Sequence, residues 1–407
     1  MSTPQTFQRH SPLNSKSERM QRGLSVLLEV NMLHIGGPSS WVCDIAPALK
    51  RRGVKVTVIS FETMAPTDLV LPQRLEAEGV EIRRVPVRGG RWRRHRMIQA
   101  GFKAAGQYDI AHFNSDAYSG PFMPFARRCG IPVRIIHART PNWAPSGAGL
   151  RVRLRYHWYW WLCRRYCTHA FGVTQEALDA MLRPSGWRRI PSLVVPSAIS
   201  FARFSHYAEL RARQCGVKGM AELVVGFVGR FSPMKNLDFL VKVLSVLRAG
   251  GAEARLLFMG SGPAEAGVRD LAAQENLADR VEFLPPSGNV AEVIARRMDI
   301  LALPSDFEGT PRVVIEAQAT GVPALCSMAV SNSVGVVPEL FHRLPLAAGP
   351  EAWADEMLRV AKIRIPTQRV EECFGRSPLE IENQAEHLTA LYRSFLPRSH
   401  TGGSLSN

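Results

Sequence analysis

Two carboxylates and two cations carry the chemistry that this chain can do. Glu308 and Glu316, with seven residues between them, frame the run Glu308-Gly-Thr-Pro-Arg-Val-Val-Ile-Glu316. A carboxylate pair can accept hydrogen bonds from vicinal hydroxyls or divide acid and base roles. The local signals favour the first, because a helix N-terminus and the neighbouring Arg312 both favour the ionised form, whereas a general acid needs a raised pKa. Far upstream, Arg230 and Lys235 lie five positions apart in Gly229-Arg-Phe-Ser-Pro-Met-Lys-Asn236. Arg230 offers a planar fork for two phosphate oxygens and Lys235 a point charge. Together they could stabilise negative charge developing on a departing diphosphate. Two cations for a diphosphate and two carboxylates for sugar hydroxyls compose a nucleotide-sugar site. The plainer readings are surface cations at a strand exit and a solvated helix glutamate.

The elements that must position these side chains are legible around them. Asp299–Ser305 is apolar and reads as a buried parallel strand with its exit. Thr310 is a good N-cap, Pro311 suits the first helical position, and Gly321-Val322-Pro323 stops the helix. The backbone amides near Gly309 and Arg312 then present the positive end of that helix to an anion. Leu223–Val228 is a second apolar strand, leading into Gly229 and Arg230. Both motifs fall at the C-terminal edge of a parallel sheet, where open α/β folds bind ligands. In the first half, strand-like runs at Leu24–Val30, Val54–Ser60, Val80–Val87, Asp109–Phe113, Pro132–His137 and Ala170–Val173 alternate with helical segments. In the second they recur at Leu223–Gly229, Ala254–Gly260, Val281–Leu284, Ile300–Leu303 and Pro323–Ser327. Such alternation predicts doubly wound parallel sheets. A polar, irregular stretch at 199–220 with a short helical piece reads as the linker, and a last helix is expected near Glu380–Phe395.

The first half holds weaker candidates. Gly36-Gly37-Pro38-Ser39 follows the first strand and opens a helix, so backbone could approach a phosphate there, although an ordinary strand-to-helix turn has the same signature. His137 ends one strand and His112 another. Each could hydrogen-bond a ligand or carry a proton, and each is equally a strand-end structural histidine. Asn114 and Asp116 are possible acceptor-side groups.

Composition narrows the classes. With 407 residues, 46% of them apolar, the chain is long for one core and comfortable as two domains. The seven cysteines are scattered without metal-ligand spacing and read as reduced and structural. No run approaches the ~20 apolar residues of a spanning helix. Residues 1–22 read as a polar leader rather than a signal peptide. The net charge of +16 is confined to the N-terminal half, where residues 1–210 carry 30 basic and 13 acidic side chains. Its two clusters are Arg88–Arg96 and Arg151–Arg165, the latter threaded with Tyr156, Trp158, Tyr159, Trp160, Trp161 and Tyr166. Basic residues beside Trp and Tyr suit an anionic lipid surface. For the second cluster, a core helix with snorkelling arginines is the equal alternative, because Arg151 and Arg165 interrupt its stripe of Leu154, Trp158, Trp161, Leu162 and Tyr166. No nucleic-acid-binding motif accompanies the charge, so nucleic acid is not expected as a partner.

The motifs together resemble glycosyltransferase family 4. The resemblance rests on Gly36-Gly37, Tyr108-Asp-Ile-Ala-His112, His137, Val195-Pro-Ser-Ala-Ile199, Gly229-Arg230 with Lys235-Asn236, Gly260-Ser-Gly262-Pro263 and Glu308 to Glu316, in family order from about residue 24 to 350. The Glu-Gly-x-Pro and Glu-Ala-Gln-Ala-x-Gly variant is similar to the branch that builds capsular and exopolysaccharides. The acidic residue often found soon after the Gly-Gly pair in the family is absent here.

The resemblance implies a GT-B architecture, two Rossmann-like domains facing a cleft. Expected boundaries are a leader at 1–22, an acceptor domain at 23–205, a nucleotide-sugar domain at 206–376, a helix crossing back at 377–397 and a tail at 398–407. It implies that Glu316 accepts from both ribose hydroxyls, Glu308 holds the donor sugar, His137 faces that sugar, and transfer retains the anomeric configuration. The expected donor-binding set is Gly229, Arg230, Lys235, Gly309, Thr310, Arg312 and Glu316, with His137, Arg230, Lys235 and Glu308 nearest the chemistry. Gly36, Gly37 and His112 make the acceptor side. No Asp-x-Asp motif sits at a strand exit, so the cation pair is expected to replace a metal, with no cofactor required. The activity implied is hexosyl transfer from a nucleotide sugar to a lipid-linked saccharide, in a cytoplasmic protein peripheral on the inner face of the membrane through Arg88–Arg96. A non-catalytic scaffold and a transferase for a small soluble acceptor are the alternatives.

Overall fold

The computed structural model describes residues 23–33, 36–62, 70–140, 149–182, 190–215 and 222–396. The expected leader and the tail at 398–407 lie outside the described residues. The first sheet contains β1 (Ser25–Val30), β2 (Lys55–Glu62), β3 (Glu81–Pro86), β4 (Ile110–Phe113), β5 (Val133–Ala138), β6 (His169–Gly172) and β7 (Ser192–Val194), in the order 3-2-1-4-5-6-7 with every pairing parallel. The second contains β8 (Leu223–Arg230), β9 (Ala254–Ser261), β10 (Val281–Leu284), β11 (Ile300–Leu303), β12 (Ala324–Cys326) and β13 (Phe341–Arg343), in the order 10-9-8-11-12-13, again parallel. This is the α/β GT-B architecture. The central strands β1, β4, β8 and β11 are buried and mostly apolar because helices cover both faces, with Glu29 and His112 as buried polar exceptions.

Strand order reverses between β1 and β4 in one sheet and between β8 and β11 in the other. Loops leaving the two strands at such a switch point diverge to opposite faces and open a crevice. Arg230 ends β8 and Glu308 follows β11, so the two charged motifs flank the second crevice by topology alone.

The helix Ile381–Phe395 crosses back onto the first domain. Ile381, Ala385, Leu388 and Tyr392 repeat at helical spacing and are fully buried among Trp41, Val58 and Phe171. Burial of each large apolar side chain stabilises the docking by about 1.5–3 kcal/mol. A short parallel bridge between Ile199 and Glu380 completes the return.

The short helical piece expected within 199–220 is Ser205–Cys215. The edge strands β7 and β13 escape sequence reading because each has three residues and neither presents a buried apolar run. Helices Val70–Ala77 and Gln175–Leu182 are eight residues each, too short for a clear period. Among the described residues six cysteines are free and no helix is long and apolar enough to cross a membrane.

Candidate active site

The loop after β8 is shaped by glycine and one strained asparagine. Gly260 (φ +152°) and Gly262 (φ +157°) close over Phe231, and a Cβ on Gly262 would stand 2.2 Å from the Phe231 carbonyl. No other residue fits there. Asn236 takes the left-handed conformation (φ 50°) and its amide donates to the Pro304 carbonyl (3.0 Å) and the Asp306 carboxylate (2.7 Å). The Asp306 amide returns a bond to Met234 (2.9 Å). These bonds lash the loop carrying Lys235 to the loop carrying Glu308. Lys235 Nζ accordingly donates to Glu308 Oε1 at 2.5 Å, and Ser305 Oγ donates to the same oxygen at 2.7 Å.

Arg230, Lys235, Glu308 and Glu316 line one cavity of about 680 Å³ between the two sheets. Among the described residues Arg230 has no ion-pair partner, so its fork is available at the cavity wall. Gly229, Thr310 and Arg312 line the same space from the second domain, and Gly36 and Gly37 line it from the first. Gly309 packs instead against the Arg139 carbonyl of the first domain, which a Cβ would approach to 2.9 Å.

The helix after Glu308 begins one residue later than expected. It runs Arg312–Ala319 with Pro311 as its N-cap, and Thr310 does not cap it. The Thr310 hydroxyl donates across the cleft to the Val173 carbonyl at 3.2 Å. Arg312 also turns away from the expected ligand position: Nη2 donates to Asp44 at 2.5 Å and Nη1 to the Ala198 carbonyl, both in the first half of the chain. Its Nε stands 3.6 Å from Glu316, beyond hydrogen-bond range. Burial pushes the Glu316 carboxyl above the ordinary carboxylate range, against the opposing charge of Arg312. That corrects the expectation that a helix N-terminus and an arginine would hold it low. Further along the helix, Gln318 is fully buried and fully bonded, donating to Val314 and Val334 and accepting from the amides of Val336 and Val337.

His137 and His112 are not brought to the cavity. Both are fully buried in the first domain, stacked with centroids 5.2 Å apart. His112 Nδ1 meets the Tyr392 hydroxyl (2.6 Å) and its Nε2 meets His137 Nδ1 (3.1 Å), while His137 Nε2 donates to the Val195 carbonyl (2.9 Å). Burial, aided by the charge of Arg139, holds both imidazoles well below their usual range, so they are neutral at pH 7. With every ring nitrogen engaged inside the protein, neither is free to reach a sugar. Asn114 is buried as well and Asp116 is half-buried; they bond Glu29 and Arg139.

Several residues carry no local sequence signal. Asp44, two turns into the helix Gly37–Arg51, is fully buried and accepts from Arg74, Arg203 (2.9 Å) and Arg312. Arg139 is buried over the Trp41 ring (4.2 Å), with Nη bonds to Ser197 and Asn114 and an unpartnered Nε. Burial lowers its pKa to about 9. Tyr207, from the linker helix, lines the cavity and donates to Asn289 at 3.1 Å.

Residues 36–198 match the family model described as "Glycosyl transferase 4-like domain", and residues 211–373 match "Glycosyl transferases group 1". The chain is 26% identical over 308 residues to the glycosyltransferase EpsF of Bacillus subtilis strain 168, covering 75% of this chain and 80% of EpsF. It is 29% identical over 355 residues to a D-inositol 3-phosphate glycosyltransferase of Actinosynnema mirum, covering 80% and 84%. Its fold is similar to that of Anabaena HepE in complex with UDP-glucose (TM-score 0.68, 17% identity, 90% of this chain and 100% of that one).

Proposed function

The chain is a glycosyltransferase of family 4, and on that premise we propose that it moves a hexose from a nucleotide diphosphate sugar to a lipid-linked saccharide in cell-surface polysaccharide synthesis. The observation that carries the donor side is the convergence of Arg230, Lys235, Glu308 and Glu316 on one cavity. Arg230 and Lys235 grip the diphosphate and stabilise the charge it gains on leaving. Glu308, held by Lys235 and Ser305, accepts from hydroxyls of the donor sugar; Glu316 accepts from the ribose. With two cations at the leaving group, transfer proceeds without a divalent ion; retention of the anomeric configuration is what the family resemblance implies. The Glu308-Gly-x-Pro311 and Glu316-Ala-Gln-Ala-x-Gly321 variant, similar to the polysaccharide-building branch, favours a polysaccharide product.

The basic half supplies the acceptor side. In the first domain Trp92 is 82% exposed beside Arg93, Arg94 and Arg96. On the helix Leu150–Tyr166, Leu150, Leu154 and Trp158 lie on an outward stripe at i, i+4 and i+8, while Tyr156, Trp160 and Cys163 face the core. Arginines and exposed apolar rings suit an anionic lipid interface. A second reading, transfer to a small phosphorylated acceptor, is favoured by the likeness to D-inositol 3-phosphate glycosyltransferases. An assay with and without lipid-linked acceptor separates the two.

The donor assignment is tested by Glu316→Ala and Lys235→Ala. Each should abolish sugar transfer while circular dichroism stays native; near-normal turnover in both removes the assignment.

A further inference from the structure

Asp44 does not line the cavity, yet it holds three side chains that do: Arg74 from the helix Val70–Ala77, Arg203 from the linker and Arg312 from the donor-side helix. Its carboxylate is fully buried, and burial, which would raise its pKa, is outweighed by Arg312, Arg74 and Arg203, so it is ionised. One negative charge thus joins both domains and the linker behind the cavity wall. The consequence lies at Arg312. Both of its Nη atoms are taken by Asp44 and Ala198, so only Nε, which makes no hydrogen bond, is left to face Glu316, at a loose ion-pair distance of 3.6 Å. Glu316, the i+4 residue on the same helix, is the nearest other carboxylate to that guanidinium. An arginine and a glutamate at this spacing ordinarily pair.

We infer that Asp44 is a positioning residue for the donor site: it draws Arg312 off Glu316 and so leaves the Glu316 carboxylate open to ribose hydroxyls. The inference rests on the donor-site reading given above. Neutralising Asp44 removes the stronger acceptor, Arg312 swings to Glu316, and a bidentate pair competes with the nucleotide. The groups facing Glu316 are Arg312 on its own helix and Asp44, Arg74 and Arg203 from the elements packed against it. Loss of the Asp44 charge and the approach of Arg312 both favour the ionised Glu316.

The test is titration of the full chain with UDP, and with GDP in parallel, from pH 5 to 8, alongside thermal unfolding. Asp44→Asn should weaken nucleotide binding about tenfold, the scale of one charge-assisted hydrogen-bonding group. It should also move the acidic limb of the binding profile to lower pH. Removing the competitor as well, in Asp44→Asn with Arg312→Met, should restore affinity to that of Arg312→Met alone. Where Asp44→Asn does not fold, that comparison still decides, because the double variant carries no orphaned Arg312 charge. Binding by Asp44→Asn equal to the unaltered protein, a loss with an unmoved acidic limb, or a double variant weaker than Arg312→Met each overturns the inference. Glu316→Ala separates the two levels. If it loses binding while the Asp44 predictions fail, the donor site stands and Asp44 is structural; if it binds normally, the donor-site reading itself falls.

Discussion

Replacing Lys235 with alanine probes the centre of the site, and the structure sets the size of both effects. Lys235 Nζ donates to Glu308 Oε1 at 2.5 Å, with side-chain exposures of 18% and 9%. Breaking a wholly buried ion pair costs about 3–5 kcal/mol because one charge is left unpaired. Here Glu308 keeps the Ser305 hydroxyl, and the cavity admits water to the vacated side, so the stability loss should be about 1–2 kcal/mol. For a domain of this size that lowers Tm by roughly 2–8 °C. Catalysis should suffer more. A preorganised charge aimed at the leaving group is worth about 10²–10³ in rate, or about 2.7–4 kcal/mol of transition-state stabilisation. Initial rates of sugar transfer over a range of donor concentrations, beside a thermal melt, read both quantities on one preparation. A kcat within about threefold of the unaltered enzyme, with the predicted fall in Tm, would show that Lys235 is a structural partner of Glu308 and no more.

The remaining expectations concern pH, charge and ions. Glu316 must be ionised to accept from hydroxyls and burial raises its pKa, so donor affinity should fall on acidification at a higher pH than an ordinary glutamate would give, and Glu316→Gln should flatten that limb. Glu29 is fully buried and its carboxyl is pushed up to about 7, chiefly by burial, from 4.5. The folded state then binds more protons than the unfolded one between those values, so stability should decline by up to about 3 kcal/mol as pH rises from 4.5 to 7. Glu29→Gln should remove that slope in melts across the same range. Reversal of several arginines in 88–96, or Leu154→Ser with Trp158→Ser, should reduce co-sedimentation with anionic vesicles, and unchanged binding would reject lipid docking there. Transfer should persist in EDTA, since Arg230 and Lys235 neutralise the diphosphate; loss of activity restored by a divalent ion would reject that role.

The sequence by itself determined the two-sheet alternation and the residues around the second crevice. Strand exits, the Gly229–Asn236 loop and the Glu308–Glu316 run are local patterns, and the switch points of doubly wound sheets convert local order into spatial convergence. Tertiary structure decided what those patterns could not express. His137 and His112 end strands as catalytic histidines can, yet the crossover helix brings Tyr392 onto His112, while Trp41, Phe171 and the Val195 carbonyl enclose His137, so both rings are sealed inside. Thr310 has the composition of a cap, but Val173 offers its hydroxyl a partner across the cleft. Asp44 and Arg312 are 268 positions apart, and no periodicity links them. Hydrogen-bonding groups take whichever acceptor burial leaves them, and burial is a property of the assembled chain rather than of any window along it.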